Sequence, residues 1–336
     1  RSRTVCPASV RAHNRGIHAG PTPRGRPLNV TFYGVRGSTP CSCDSNRRYG
    51  GNTSCVVIEW PDRDPILMDL GTGLRFFGLT QPTDGTFRGT ALVSHLHWDH
   101  VQGLPFFVAG DRPDAEVDFY VPAQNARTGR DLLAAAMAPP NFPITPEGLQ
   151  GKWTFTALEA GYHQIAGFRV RATEVKHKGG RTFGYRVSDD TGSIAYLPDH
   201  ITSTGVSNEV KDLIHDVDVL LHDAQFVEKE RALSDAYGHS TVDDAISLAR
   251  ECGARRLVAF HHGPARTDDA LDALRRAADA FVPRGPMCTV VRGKVDAVAP
   301  HAGKERRAGS GERIDERTDR IRCIFLYRGP RFLPPR

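Results

Sequence analysis

His95-Leu96-His97-Trp98-Asp99-His100 puts three imidazoles and one carboxylate within six residues, directly after the apolar segment Thr90-Ala91-Leu92-Val93-Ser94. Imidazole is a borderline-soft nitrogen donor and carboxylate a hard oxygen donor, a mixture that suits zinc, iron or manganese better than calcium. On an extended backbone side chains alternate, so His95 and His97 point the same way. Asp99 and His100 then turn away from that pair. The spacing therefore allows one metal on His95 and His97 and a second on Asp99 and His100.

Working outward, a chain of 336 residues can bury a sizeable core, and no apolar run approaches the roughly 18 residues of a membrane span. The net charge of +5 is uneven. Residues 1–27 hold six Arg and no acid, and residues 301–336 hold ten Lys or Arg against five acids. Removing these +6 and +5 contributions leaves −6 on residues 28–300. A polyanion-binding surface needs clustered Lys and Arg. The middle of the chain lacks that surplus, so nucleic acid is not expected as partner of the core domain, and no membrane is expected. The seven Cys are an odd set without paired spacing and read as reduced thiols of a cytoplasmic protein. Cys41-Ser42-Cys43 reads as two loop thiols.

Three segments are expected: a basic, disordered extension over 1–27, one folded domain over 28–300, and a charged, disordered tail over 301–336. Within the domain, strands are predicted over Asn29–Val35, Ser54–Trp60, Ile66–Leu70, Thr90–Ser94 and Val117–Val121. Strands resume with Trp153–Leu158, Phe168–Val175, Thr182–Val187 and Ser193–Leu197, followed by Val217–Leu221 and Leu257–Phe260. Helices are predicted over Asn125–Ala138, over Thr241–Cys252 with Thr241 as N-cap and Gly253 as stop, and after Thr267. Two groups of strands, each followed by helices, predict an α/β protein with two sheets packed face to face and helices outside.

Further ligands are sought where loops converge on one edge of the sheets. His177, Asp199 and His261 each follow the C-terminal end of an apolar strand. Taken together, His95-x-His97-x-Asp99-His100, His177, Asp199 and His261 resemble the metallo-β-lactamase fold superfamily over roughly residues 28–292. The resemblance implies a four-layer αββα sandwich. It implies that His95, His97 and His177 bind one metal, that Asp99, His100 and His261 bind the other, and that Asp199 bridges both. It also implies two divalent ions, zinc first, with manganese or iron as alternatives.

The antibiotic-hydrolysing members lack the bridging aspartate, and flavodiiron oxidoreductases carry Glu where this chain has His97. Gly34-Val35-Arg36-Gly37-Ser38-Thr39-Pro40, Tyr49-Gly50-Gly51-Asn52-Thr53-Ser54, Leu221-His222-Asp223-Ala224-Gln225 and Gly238-His239-Ser240-Thr241 resemble the phosphodiesterase-like branch. That branch includes ribonuclease Z, cyclic-nucleotide phosphodiesterases and phosphoribosyl 1,2-cyclic phosphate phosphodiesterase. His200 departs from it, since relatives more often carry Thr there.

The activity so implied is hydrolysis of a small or cyclic phosphodiester by a metal-bridging hydroxide, which two metals about 3.5–4 Å apart can generate. Asp99 and His239 are the expected catalytic residues, with His239 stabilising the leaving alkoxide. Asp223 is expected to orient a ligand imidazole. Arg36 and Asn52 are candidate substrate contacts, and the two Gly-rich loops are candidate phosphate cradles. A homodimer is left open. The alternatives are a tRNA 3′-processing endonuclease like ribonuclease Z, a thioester hydrolase of the glyoxalase kind, and, last, a non-catalytic metal-binding module. Ribonuclease Z carries a substrate-gripping arm, and residues 28–300 show no long Gly- and basic-rich insertion that would serve.

Overall fold

The computed structural model describes residues 29–60, 63–190, 192–280 and 288–290. The expectations for 1–27 and 301–336 lie outside the described residues. Six strands form the first sheet: β1 (Asn29–Gly34), β2 (Cys55–Glu59), β3 (Ile66–Met68), β4 (Arg88–Leu92), β5 (Glu116–Pro122) and β6 (Lys152–Leu158), in that order. The second sheet has seven: β7 (Gly161–Ile165), β8 (Phe168–Val175), β9 (Thr182–Ser188), β10 (Ser193–Leu197), β11 (Val219–Asp223), β12 (Leu257–Phe260) and β13 (Cys288–Val290). Helices α1 (Leu74–Gly78), α2 (Trp98–Val101) and α3 (Gly129–Ala134) belong to the first half. Helices α4 (Asn208–Ile214), α5 (Arg231–Tyr237), α6 (Val242–Glu251) and α7 (Asp268–Ala280) belong to the second.

Period-two alternation builds the layers. Along β2, Val56 and Ile58 enter the core shared with the second sheet, whereas Cys55 and Val57 enter a core with Leu74, Phe77, Leu132 and Leu133 of α1 and α3. Both faces of β2 are thus covered, which explains its unbroken apolar sequence. Phe32 of β1 and Phe260 of β12 meet at 6.3 Å between ring centroids, and Trp60 packs on Phe168 at 4.1 Å, so aromatic rings join the sheets. On the outer side of the second sheet, Leu213, Ala245, Leu248 and Leu271 bury the apolar faces of α4, α6 and α7. This is the expected αββα sandwich.

Caps follow the sequence. Thr241 caps α6 through Asp244 N–H at 3.2 Å, with Asp244 returning the bond, and Gly253 beyond its end adopts φ +69°. The Thr267 hydroxyl accepts from Ala270 N–H at 3.2 Å. One expectation needs correction, and some elements escaped prediction. The helix predicted over Asn125–Ala138 shrinks to Gly129–Ala134, because Asn125 takes φ +58° and a Thr128–Asp131 capping box starts the helix later. Strand β7 and helices α4 and α5 were not predicted: β7 carries Gly161, His163 and Gln164, and α4 and α5 are each seven residues with few apolar positions.

Strands β3 and β4 run parallel, and so do β10, β11 and β12. Strand β8 runs in the same direction as β10, since each pairs antiparallel with β9. Asp69, His95, His177, Asp199, Asp223 and His261 all follow or end the C-terminal tips of these strands, which gathers them at one edge of the sandwich.

Candidate metal centre

The chain leaves β4 at Leu92 and turns through Ser94–His97 before α2 begins, with His97 extended as its N-cap (φ −63°, ψ 150°). This turn folds the motif so that His95, His97, His177 and Asp199 each offer a donor atom within 4.8 Å of the others, and so do Asp99, His100 and His261. Asp199 lies between the two sets. Its Oδ2 is 3.3 Å from His177 Nε2 and 3.6 Å from His95 Nε2, and its Oδ1 is 3.2 Å from both His100 Nε2 and His261 Nε2. Every residue expected as a ligand is therefore present in one cluster.

Two contacts link donor atoms directly, His177 Nε2 to His97 Nδ1 at 3.3 Å and His261 Nε2 to Asp99 Oδ2 at 3.1 Å, while others face the centre unpaired. His95 Nε2, His100 Nε2 and Asp199 Oδ1 are buried and have no hydrogen-bond partner among the described residues. Unpartnered buried polar atoms are costly unless something else binds them. Burial, then neighbouring imidazoles, lowers the proton affinity of His95 and His97, and burial does the same for His177. Neutral rings keep a lone pair for a cation. Asp199 is held ionised despite burial by His261, His100 and His95. Five imidazoles and two carboxylates arranged this way fit divalent transition-metal ions.

Neighbouring groups fix which nitrogen is free. His100 Nδ1 donates to Asp69 Oδ2 at 2.6 Å, and His177 Nδ1 donates to the Gly238 carbonyl at 2.8 Å, which leaves both Nε2 atoms facing the centre. Asp69 is wholly buried and also accepts from Tyr196 Oη at 2.7 Å and from Ser94 N–H at 2.6 Å. Sequence reasoning passed over Asp69, although it follows the apolar strand β3 just as His177 follows β8.

His239 stands against the cluster, its ring 5.0 Å from that of His177 and 5.1 Å from that of His261. Its Nδ1 donates to Asp223 Oδ2 at 2.9 Å. Burial disfavours the imidazolium, but Asp223, by charge and by hydrogen bond, with Asp199 and Asp99 behind it, outweighs burial and raises the pKa to about 9. Asp223 was expected to orient a ligand imidazole; it orients His239 instead, while its carboxylate also accepts from His200 and Ser240 N–H groups at 3.1 and 3.2 Å. His200, the departure from the family pattern, puts its Nδ1 3.0 Å from buried His222 Nε2.

Two substrate-facing expectations are corrected. Arg36 is fully buried, with Nε donating to Gly50 O at 2.8 Å, Nη1 to Arg266 O at 2.7 Å, and Nη2 3.5 Å from Asp268. It ties loops together because its donors are engaged by carbonyls. The Gly34–Pro40 loop does not present free amides: Val35 and Arg36 N–H donate to Asn52 O, Gly37 N–H to His262 O, and Ser38 N–H to Asp99 Oδ2 at 2.6 Å. The loop grips a candidate ligand instead. Gly37 is needed for that approach, since a Cβ there would lie 2.3 Å from the His261 ring. Asn52 bonds to Tyr33 O and accepts from Thr72, both at 3.3 Å. Cys41 and Cys43 remain loop thiols, Cys41 Sγ accepting from Asn46 at 2.9 Å.

Similarity to known proteins agrees with this architecture. A ribonuclease Z of Natronomonas pharaonis is 26% identical over 299 residues, covering 76% of this chain and 93% of that protein. The metallo-β-lactamase fold protein YhfI from Bacillus subtilis superposes with a TM-score of 0.60 at 17% identity, over 80% of this chain and 97% of that one. A diphosphatase from the PhnP family does so with a TM-score of 0.57 at 19% identity, over 78% and 94%. At those identities the two structures speak for the fold. The family profile for the β-lactamase superfamily domain matches residues 66–262, which run from β3 through the Asp69, His95–His100, His177, Asp199 and His261 positions. The chain belongs to the metallo-β-lactamase superfamily of hydrolases.

Proposed function

We propose that this chain is a dinuclear metal-dependent phosphodiesterase that hydrolyses a small phosphodiester. The observation that carries the reading is Asp199 standing between two sets of buried, unpartnered donors. His95, His97 and His177 would hold one divalent ion, Asp99, His100 and His261 the other, and Asp199 both. Zinc is first choice because imidazoles dominate the set. Two such ions supply an activated water at neutral pH and offset charge on a phosphoryl group.

The residues of this chain supply the rest. Asp99, held by Ser38 N–H, keeps its carboxylate fixed at the edge of the centre. His239 has Nδ1 engaged by Asp223, so Nε2 is the nitrogen that carries a transferable proton. That orientation beside the cluster suits it to protonate the leaving alkoxide, a role worth about 10²–10⁴ in rate. Cys41, Cys43, Cys55 and Cys252 are free thiols, in keeping with a cytoplasmic setting.

A second reading, tRNA 3′ processing, is favoured by the ribonuclease Z relative, which aligns over 93% of its own length. Against it, the 29-residue connection between β5 and β6, where an arm has room to be inserted, folds back: Leu132, Leu133, Met137 and Leu149 pack into the core beside β5. The test is to load the protein with zinc or manganese, count ions per chain, and assay bis-p-nitrophenyl phosphate beside a precursor tRNA. Two ions with turnover of the small diester alone supports the first reading. Efficient cleavage of the tRNA replaces it with the second.

A further inference from the structure

A cavity of about 390 Å³ opens from His95 and His97 and runs outward between α3 and the Gly179–Thr182 segment. It is at the small end of ligand pockets and suits one ring-sized group. Its lining includes the apolar Leu132, Ala135 and Ala136 and the cations Arg127 and Arg181, with no carboxylate. Arg181 is neutralised by Glu159 at 2.9 Å and Glu174 at 3.0 Å. Arg127 makes no ion pair within 4 Å among the described residues; it donates to the Asp131 carbonyl at 2.7 Å and helps hold the exposed Asp131 carboxylate ionised from further off. Trp98 lines the same cavity and is 74% exposed, although it stands between the candidate ligands His97 and Asp99. An indole left open there is an apolar surface with no aromatic or cationic partner among the described residues. The wall opposite is preset: Gln124 donates to Arg181 O at 2.8 Å and accepts from Arg181 N–H at 3.0 Å, and Gly179 leaves room beside His97, where a Cβ would lie 2.7 Å from Nε2.

We infer that Trp98 and Arg127 are specificity-determining residues for a phosphodiester whose retained ester group carries a flat aromatic ring and a further negative charge. The inference rests on the proposed phosphodiesterase reading for where the phosphate sits. The ring lies against the Trp98 face beside Leu132, Ala135 and Ala136, and the extra charge meets Arg127. Stacking of this kind tolerates many rings, since it uses only a π-face.

The test compares bis-p-nitrophenyl phosphate with methyl p-nitrophenyl phosphate, which share a leaving group and differ in the retained ester. Taking the ratio of kcat/KM for the two cancels effects common to both diesters. Trp98→Ala should lower the aryl-to-methyl ratio about tenfold and Trp98→Phe should largely restore it. Arg127→Ala should lower kcat/KM about tenfold for the p-nitrophenyl diester bearing a 4-carboxyphenyl group, relative to its uncharged phenyl analogue. Calorimetry supplies a second readout: diphenyl phosphate should bind the wild type at least tenfold tighter than dimethyl phosphate, and Trp98→Ala should erase the difference. Ratios unchanged by Trp98→Ala in both assays overturn the inference. Absent turnover of every diester with the binding preference intact overturns the phosphodiesterase reading and leaves the pocket assignment standing.

Discussion

Asp69 Oδ2 lies 2.6 Å from His100 Nδ1, with both side chains fully buried. The bond fixes the His100 tautomer and aims Nε2 at Asp99 and Asp199, which lie 3.3 and 3.2 Å away. Partners of this kind typically contribute 10–100-fold in metal affinity. Asp69→Asn keeps the shape but removes the charge that orients the ring. It should weaken the second of two metal-binding steps about 10–100-fold, measured by competition with a chromogenic chelator. Unchanged affinity for both ions would remove Asp69 from any role at the centre.

Asp199 touches both donor sets, so its loss should be felt by both ions. Asp199→Asn should reduce bound metal from two ions per chain to one or fewer, read by elemental analysis after dialysis. Phosphodiesterase activity should fall by more than about a hundredfold, beyond what an outer partner costs. Two ions retained with full activity would sink the bridging role.

Much of this centre was legible in the sequence because its chemistry is concentrated at strand ends. Apolar runs such as Ser193–Leu197 and Leu257–Phe260 announce buried strands, and a polar residue at the tip of one is costly unless it has a use. That logic finds His177, Asp199 and His261, and applied evenly it finds Asp69 too. Arg36 was misread because an arginine beside glycines resembles a phosphate contact; only the tertiary path shows Gly50, Arg266 and Asp268 closing around it. Trp98 was invisible as a pocket residue, since α3 and the Gly179–Thr182 wall come from parts of the chain about 30 and 80 residues distant. Short helices such as α4 carry too few turns to show a 3.6-residue period.

His239 gives a pH dependence whose sign can be worked out for the metal-free protein. Its pKa rises from 6.5 to about 9 on folding. The charged ring therefore contributes stability fully below about pH 6.5, and that contribution is lost as pH rises through about 9. The stability difference between wild type and His239→Asn, from urea unfolding of metal-free protein, should shrink by roughly 2–3 kcal/mol between pH 6 and pH 10. A difference that stays level across this range would mean that the Asp223–His239 pair does not hold a proton as described.

Arg36 separates a structural role from a substrate contact. Its guanidinium is wholly enclosed and serves the carbonyls of Gly50 and Arg266 while approaching Asp268, whose carboxylate also accepts from Arg48 and Tyr49 N–H groups at 2.5 and 3.3 Å. Arg36→Met fills similar volume but leaves at least two buried carbonyls without their donor, at a cost of about 1–3 kcal/mol for each unsatisfied group. The urea midpoint should fall accordingly, while KM for a phosphodiester, measured well below that midpoint, should stay within about twofold of wild type, since the lost bonds all run to protein atoms. A KM raised tenfold or more at unchanged stability would return Arg36 to the substrate side of the loop.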